Sequence, residues 1–244
     1  MKVNSLFTAL FLLISCNALA DCFEKEYKEI QMTVCTINAS REVPIMLFKD
    51  SEGKPYKNVF GALKNSKENI SFLMNAGMYH SDLSPVGLYI EKGVLLQKIS
   101  KNEGPGNFHL MPNGVFYIHR NEDESYSYHI KTTIDYIKEN PSPYFATQSG
   151  PMLVINDTIH PKFIKGSDSR FVRNGVGVSA TSEVYFVKSK APINFYDFAT
   201  FFKDELKTPN ALYFDGKIST LYAPPFKTES TWFSVGPMVG AAIK

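Results

Sequence analysis

Short segments of alternating apolar and polar residues, arriving in pairs around turn signals, constrain this chain more than any other feature. Gly87 to Ile90 and Val94 to Leu96 flank Glu91-Lys92-Gly93. Val115 to His119 and Tyr126 to Ile130 flank the acidic run Asn121-Glu122-Asp123-Glu124, and Gly175 to Ser179 and Val184 to Lys188 flank Ala180-Thr181-Ser182-Glu183. Period-two alternation bounded by such residues is the signature of hairpins. Ile30, Met32 and Val34, then Val43, Ile45 and Leu47, repeat the pattern. Helical patterning is scarce. Phe195, Phe198, Ala199, Phe202 and Leu206 share one face, with Asn194 as N-cap and Pro209 beyond the end. Shorter helices are expected over Val59 to Ser66 and Ile134 to Glu139. Hairpins outnumber helices, and strands do not alternate regularly with helices. The expected class is therefore α+β, a hairpin-rich mixed or largely antiparallel sheet with a few packed helices, not a doubly wound fold.

Composition fits that reading. With 44% hydrophobic and 20% charged residues over 244 positions, the chain is globular, and no linker or low-complexity tract divides it. One domain over 21–244 is expected. A net charge of +2 without a basic block lacks the footprint of a nucleic-acid binder.

The N-terminus reads as a secretory leader. Lys2 precedes an apolar run from Leu6 to Ile14, and Ala18-Leu19-Ala20 supplies small residues at the cleavage positions. The run is too short to span a bilayer. Leu13-Ile14-Ser15-Cys16 resembles a lipobox, so lipid attachment at Cys16 stands beside cleavage after Ala20. Either route takes the protein out of the cytoplasm, most simply to a bacterial periplasm. Beyond residue 20 the cysteines are Cys22 and Cys35, and two cysteines in an exported chain suggest one disulfide. No histidine or further cysteine lies at ligand spacing from them, so no metal site and no cofactor is expected.

Four segments share a form in which an apolar strand runs into polar residues and glycine. They are Phe72 to Tyr79, Thr147-Gln148-Ser149-Gly150-Pro151, Arg173-Asn174-Gly175-Val176-Gly177 and Leu212-Tyr213-Phe214-Asp215-Gly216. A strand end offers a rigid support for a polar side chain, and an adjacent glycine admits close approach to the backbone. Together these segments carry amides (Asn75, Gln148), a hydroxyl (Ser149), a guanidinium (Arg173) and a carboxylate (Asp215). Taken singly, each is simply a strand followed by a turn.

With Ser84-Pro85-Val86-Gly87-Leu88-Tyr89 and Pro112-Asn113-Gly114-Val115-Phe116, these segments run in an order that resembles the phosphodiester glycosidase family. The resemblance extends from about residue 40 to the C-terminus. The family often carries a run of glycines after the aspartate, whereas Lys217 and Ile218 follow Gly216 here. The resemblance implies hydrolysis of a sugar-1-phosphodiester at its glycosidic bond. Such a reaction needs a phosphate clamp and a carboxylate beside the anomeric carbon. Arg173 suits the clamp because guanidinium binds phosphate oxygens in bidentate fashion, helped by the Ser149-Gly150 backbone and the Ser219 hydroxyl. Asp215 is the expected carboxylate. Asn75 and Gln148 are expected to orient sugar hydroxyls or an N-acetyl group, with Asn174 and Gly216 beside them. His80 and Asp82 are candidates for a second acid or base, although each also reads as an ordinary turn residue. Tyr79, Tyr89, Tyr213 and Trp232 offer rings for stacking on a sugar. The partner is then a small-molecule or glycan phosphodiester. Two other readings keep the pocket without the chemistry: a binding module for a phosphorylated glycan, and an envelope assembly scaffold.

Overall fold

The computed structural model describes residues 21–215, 218–226 and 232–244. The leader, Cys16 and Gly216 lie outside them. Every strand pair described is antiparallel, and the strands form three sheets. The class is α+β, as the paired segments imply.

The first sheet runs β1 (Cys22–Tyr27), β2 (Ile30–Cys35), β13 (Val184–Ser189), β12 (Asn174–Val178), β14 (Asn210–Asp215), β10 (Met152–Ile155) and β11 (Thr158–Ile159). The second runs β15 (Leu221–Tyr222), β4 (Ile70–Asn75), β16 (Met238–Ile243) and β3 (Glu42–Leu47). The third runs β6 (Val94–Gln97), β5 (Tyr89–Glu91), β9 (Phe145–Ser149), β7 (Gly114–Arg120) and β8 (Tyr126–Thr132).

Alternation along each strand sorts its side chains between two layers. The inward set of all three sheets meets in one core. Phe186 of the first sheet lies 5.4 Å from Phe72 of the second and 5.8 Å from Phe116 of the third, centroid to centroid. The outward set of each sheet is covered by one helix. Val59 and Ala62 of α1 (Val59–Asn65) pack on Ile45, Leu47 and Leu73. Tyr136 of α2 (Thr133–Glu139) packs on Val115, Tyr117 and Ala146. Phe198 and Ala199 of α3 (Phe195–Thr200) pack with Val154, Val187 and Tyr213. Asn58, Thr132 and Asn194 cap these helices, each accepting from a backbone N–H in the first turn.

One expectation needs correction. The face ending at Leu206 was expected to be a regular α-helix, but residues Phe201–Glu205 form a wider π turn, with Leu206 N donating to Phe201 O at 3.2 Å. Phe201 and Phe202 both lie in the core, where neither is exposed.

Strand β1 is a largely exposed edge tied in by a Cys22–Cys35 disulfide between directly opposed residues. The bridge spans a sequence separation of 13 residues, a loop size for which cross-linking contributes about 3 kcal/mol. Replacing both cysteines by serine is expected to lower stability by about 2–3 kcal/mol, read as a reduced urea midpoint. An unchanged midpoint would assign the anchoring of β1 to its ladder alone. The turn between β1 and β2 is made by Lys28 and Glu29, with φ of 48° and 61°. A two-residue turn of this hand favours glycine at its second position, and a side chain there costs about 1 kcal/mol. Exposed Glu29, replaced by glycine, should therefore raise the melting temperature. A lower melting temperature would show that the turn is not strained.

Candidate functional site

Strands β4, β9 and β14 end, and β12 begins, at one junction between the three sheets. Buried Asn75 is its hub. Its Oδ1 accepts from Asn174 Nδ2 at 2.8 Å and from Thr220 N at 3.0 Å, while its Nδ2 donates to Ile218 O at 2.8 Å. Asn174 Nδ2 also donates to Asn75 O at 3.0 Å, and Asn174 Oδ1 accepts from Asp215 N at 3.0 Å. Ser149 Oγ donates to Phe214 O at 2.9 Å, joining the third sheet to the first. Thr147 Oγ1 donates to Ala76 O at 2.9 Å, joining the third to the second. The Ser219 hydroxyl lies 2.9 Å from Asp215 O and 3.1 Å from Val172 O, both acceptors for its one proton. Gly77 makes this closeness possible: at φ +102°, a Cβ there would meet Thr147 Oγ1 at 2.9 Å.

The register between β12 and β14 explains how Asp215 arrives. Asn174 opposes Asp215 while Gly175 opposes Tyr213, so Phe214 is an extra residue in the ladder. Such a bulge re-aims the side chains around it. Two tyrosines feel the Asp215 charge. Burial first, and then Asp215, push the Tyr79 hydroxyl up to about 12. Burial raises Tyr213 as well, with Asp215 adding to the rise and Arg173 opposing it. Both phenols therefore keep their protons at neutral pH, and Tyr79 donates to Ser234 O at 2.7 Å.

Arg173 sits behind Tyr213, only 1% exposed. Its Nε donates to Ile193 O at 2.7 Å, Nη2 to Ser169 O at 3.0 Å and Nη1 to Tyr213 Oη at 3.4 Å. The guanidinium lies 3.6 Å from the centroid of the Phe195 ring. These three bonds use three of its five N–H donors and let the guanidinium brace the approach to α3. Burial lowers its pKa, yet arginine keeps its charge in proteins. It contributes positive potential through Tyr213.

Gln148 faces the other way. Alternation along β9 sends Thr147 and Ser149 toward the junction and Gln148, with Ala146, toward α2. Gln148 Oε1 accepts from Ser100 N at 2.8 Å and Leu88 N at 3.1 Å, while Nε2 donates to Ser100 O at 2.8 Å and Thr133 Oγ1 at 3.1 Å. With its amide committed to the protein, this side chain cross-links elements and does not orient a sugar. Gly150 abuts the segment before β7, where a Cβ would meet Asn113 Cβ at 2.7 Å.

His80 and Asp82 belong to an exposed turn held by a His80 N to Ser84 O bond of 2.8 Å. Asp82 Oδ1 accepts from Ser84 Oγ at 2.6 Å and Ser84 N at 3.0 Å, and these bonds hold the carboxyl below its usual range. It has no proton to give at neutral pH, which removes the general-acid role for Asp82. Tyr89 is likewise a core residue, fully buried with its hydroxyl on Glu91. Trp232 is exposed and stacks on Phe60 at 4.3 Å.

One site residue escaped the sequence reading. Lys188 is 5% exposed and lies directly opposite Asn174 across β13 and β12. A lysine in the inward phase of Val184-Tyr185-Phe186-Val187-Lys188 was the available signal.

Comparison with known proteins decides the family. Residues 68–235 match the model of the phosphodiester glycosidase family, more than half of the chain. The chain belongs to that family. An uncharacterised Escherichia coli K12 protein, YigE, is 33% identical to this phosphodiester glycosidase family member over 226 residues, covering 91% of this chain and 86% of that protein. The catalytic domain of zebrafish N-acetylglucosamine-1-phosphodiester α-N-acetylglucosaminidase superposes with a TM-score of 0.58 at 13% identity, covering 91% of this chain and 81% of that one. A Burkholderia pseudomallei protein described as exported gives a TM-score of 0.58 at 9% identity, covering 87% and 74%. At these identities the two structures show a shared fold.

Proposed function

We propose that this protein is an exported hydrolase that cleaves the glycosidic bond of a sugar-1-phosphodiester, releasing free sugar and a phosphomonoester. The observation that carries the reading is the convergence of Asn75, Ser149, Asn174 and Asp215, from three sheets, in a chain of this family. Asp215 is the carboxylate at the anomeric carbon. Water adds there, the C1–O bond breaks, its electron pair leaves with the phosphate, and one proton of the water passes to solvent. Because the second pKa of a phosphomonoester is ~6, this leaving group needs less protonation than an alcohol. Asn75 and Asn174 set the position of Asp215, and Arg173 adds positive potential from behind Tyr213. The paired cysteines and the exported relative support action outside the cytoplasm.

The test is incubation of the purified protein with synthetic sugar-1-phosphodiesters and nucleotide sugars, with and without chelator. Free sugar together with phosphomonoester is the expected product pair. Release of sugar phosphate and alcohol would instead place the cut at phosphorus. Tight binding with no product across the panel would turn the site into a recognition module for a phosphorylated glycan.

A further inference from the structure

Exposed apolar side chains scattered singly need no explanation, but two aromatic rings stacked on each other in solvent do. Trp232 is 70% exposed and Phe60 42%, and their rings lie 4.3 Å apart at 26°, close to parallel. The pair is held in place by the backbone around it. Asn58, which caps α1 by accepting from Gly61 N at 2.7 Å, also donates from Nδ2 to Trp232 O at 3.4 Å. Val235 N donates to Lys57 O at 2.7 Å, tying the same stretch to the start of α1 a second time. From there the chain leads directly to the junction. Ser234 O accepts from the Tyr79 hydroxyl at 2.7 Å, and that hydroxyl feels the Asp215 charge. Pro237 O accepts from Ala76 N at 2.8 Å, and Ala76 O accepts from Thr147 Oγ1 at 2.9 Å. Trp232 precedes Ser234 by two residues, at most ~7 Å of extended chain. The stacked rings therefore stand beside the site, continuous with it through Tyr79.

Two cations border the rings. Lys57 and Lys64 are both exposed, and Lys64 follows Phe60 by one helical turn, on the same side of α1. A pyranose offers an apolar C–H face that lies flat on an aromatic ring, and a phosphodiester between two sugars carries one negative charge. Rings and ammonium groups side by side match both parts of such a unit. The exposed parts of the two rings amount to about 250 Å², on the basis of 150–250 Å² for a whole aromatic side chain. A standard protein interface takes roughly 800 Å² from each partner, so this patch is the size for sugar rings and not for a second copy of the chain. We infer that Phe60 and Trp232 form an outer subsite that stacks a further sugar of an oligomeric sugar phosphodiester, with Lys57 and Lys64 beside its phosphate. The subsite rests on the function proposed above for its class of ligand. It narrows that class from any sugar-1-phosphodiester to a chain of sugars joined through phosphate.

Trp232 is the only tryptophan in the chain, so intrinsic fluorescence reports directly on the subsite. The purified protein is titrated with a synthetic sugar trimer joined by 1→6 phosphodiesters and with the single-sugar methyl phosphodiester, each in a glucose and an N-acetylglucosamine series. The trimer of at least one series is expected to change the Trp232 emission in a saturable way, and the single-sugar diester to leave it unmoved. By calorimetry, Trp232→Ala and Phe60→Ala should each weaken trimer binding by about 3–10-fold, the scale of one aromatic stack, without changing the affinity for the single-sugar diester. Trp232→Phe, which keeps a ring, should recover part of the loss. Lys57→Met and Lys64→Met should make trimer affinity less sensitive to salt. An unmoved emission with both trimers, or trimer affinity unchanged in Trp232→Ala, overturns the inference. So does a concentration-dependent mass in light scattering that Trp232→Ala abolishes, which would give the rings to a second copy of the chain. Trimer binding at Trp232 without release of sugar would count against the proposed hydrolysis and leave the subsite standing. Turnover of both substrates with a trimer KM unmoved by Trp232→Ala would do the reverse.

Discussion

Asp215→Asn is expected to lower turnover of a sugar-1-phosphodiester by at least ~100-fold, the scale of loss when a key acid, base or electrostatic group is removed. The substitution keeps the shape of the side chain and removes only its charge. The backbone N–H of Asp215 still donates to Asn174 Oδ1, so the junction stays assembled. Substrate affinity should accordingly survive, and the anionic phosphate should be held somewhat more tightly once the repelling carboxylate is gone. Steady-state kinetics beside calorimetric binding separates the two quantities. Wild-type-like turnover in Asp215→Asn would end the catalytic assignment. Loss of affinity without any wild-type turnover would fit a recognition module.

The largest expected effect on stability comes from Asn174→Asp. This change swaps the side-chain NH2, donor of two hydrogen bonds, for an acceptor directly facing Asn75 O and Asn75 Oδ1, at 3.0 and 2.8 Å. Each buried polar group left unpaired costs about 1–3 kcal/mol, so the two contacts together predict a loss of about 3 kcal/mol or more. The sign of the pH dependence follows. The introduced carboxyl can restore a donor only when protonated, so its pKa is raised in the folded state. Its penalty is therefore smallest below the ordinary carboxylate range and grows as pH rises through that raised value. Urea midpoints measured at pH 4 and pH 7 should diverge for the variant far more than for the wild type. A flat difference would mean the amide of Asn174 is not held as a donor.

The hairpins were legible because their signals are local. Lys92-Gly93 does separate β5 from β6, with Glu91 already in β5, Asn121 to Glu124 does turn β7 into β8, and Asn194 does cap α3. That the four strand-to-glycine segments belong together was an expectation from their shared form and the family resemblance together. Which residue of each doublet points into the junction was not. At Gln148-Ser149 and Arg173-Asn174 the inward member is the second, and a one-residue phase decides between a site group and a brace. That phase depends on contacts made by another sheet and on the extra residue Phe214, and neither leaves a mark in a local window. The π turn at Phe201–Glu205 left no local mark, because both phenylalanines fit an α periodicity.

The bonds that build the junction also set when it comes into being. Asn75 meets Asn174 across 99 positions, Ile218 across 143 and Thr220 across 145. Contacts this distant in sequence close late, because the chain entropy lost in bringing them together is recovered only when neighbouring sheets dock. A chain that has formed its hairpins but not joined its sheets holds Asp215 on one fragment and Asn75 on another. Hydrolytic competence should therefore appear in a refolding time course only with the final cooperative phase, after most of the strand signal has developed. Under the proposed function, this timing would make catalysis itself a readout of completed assembly.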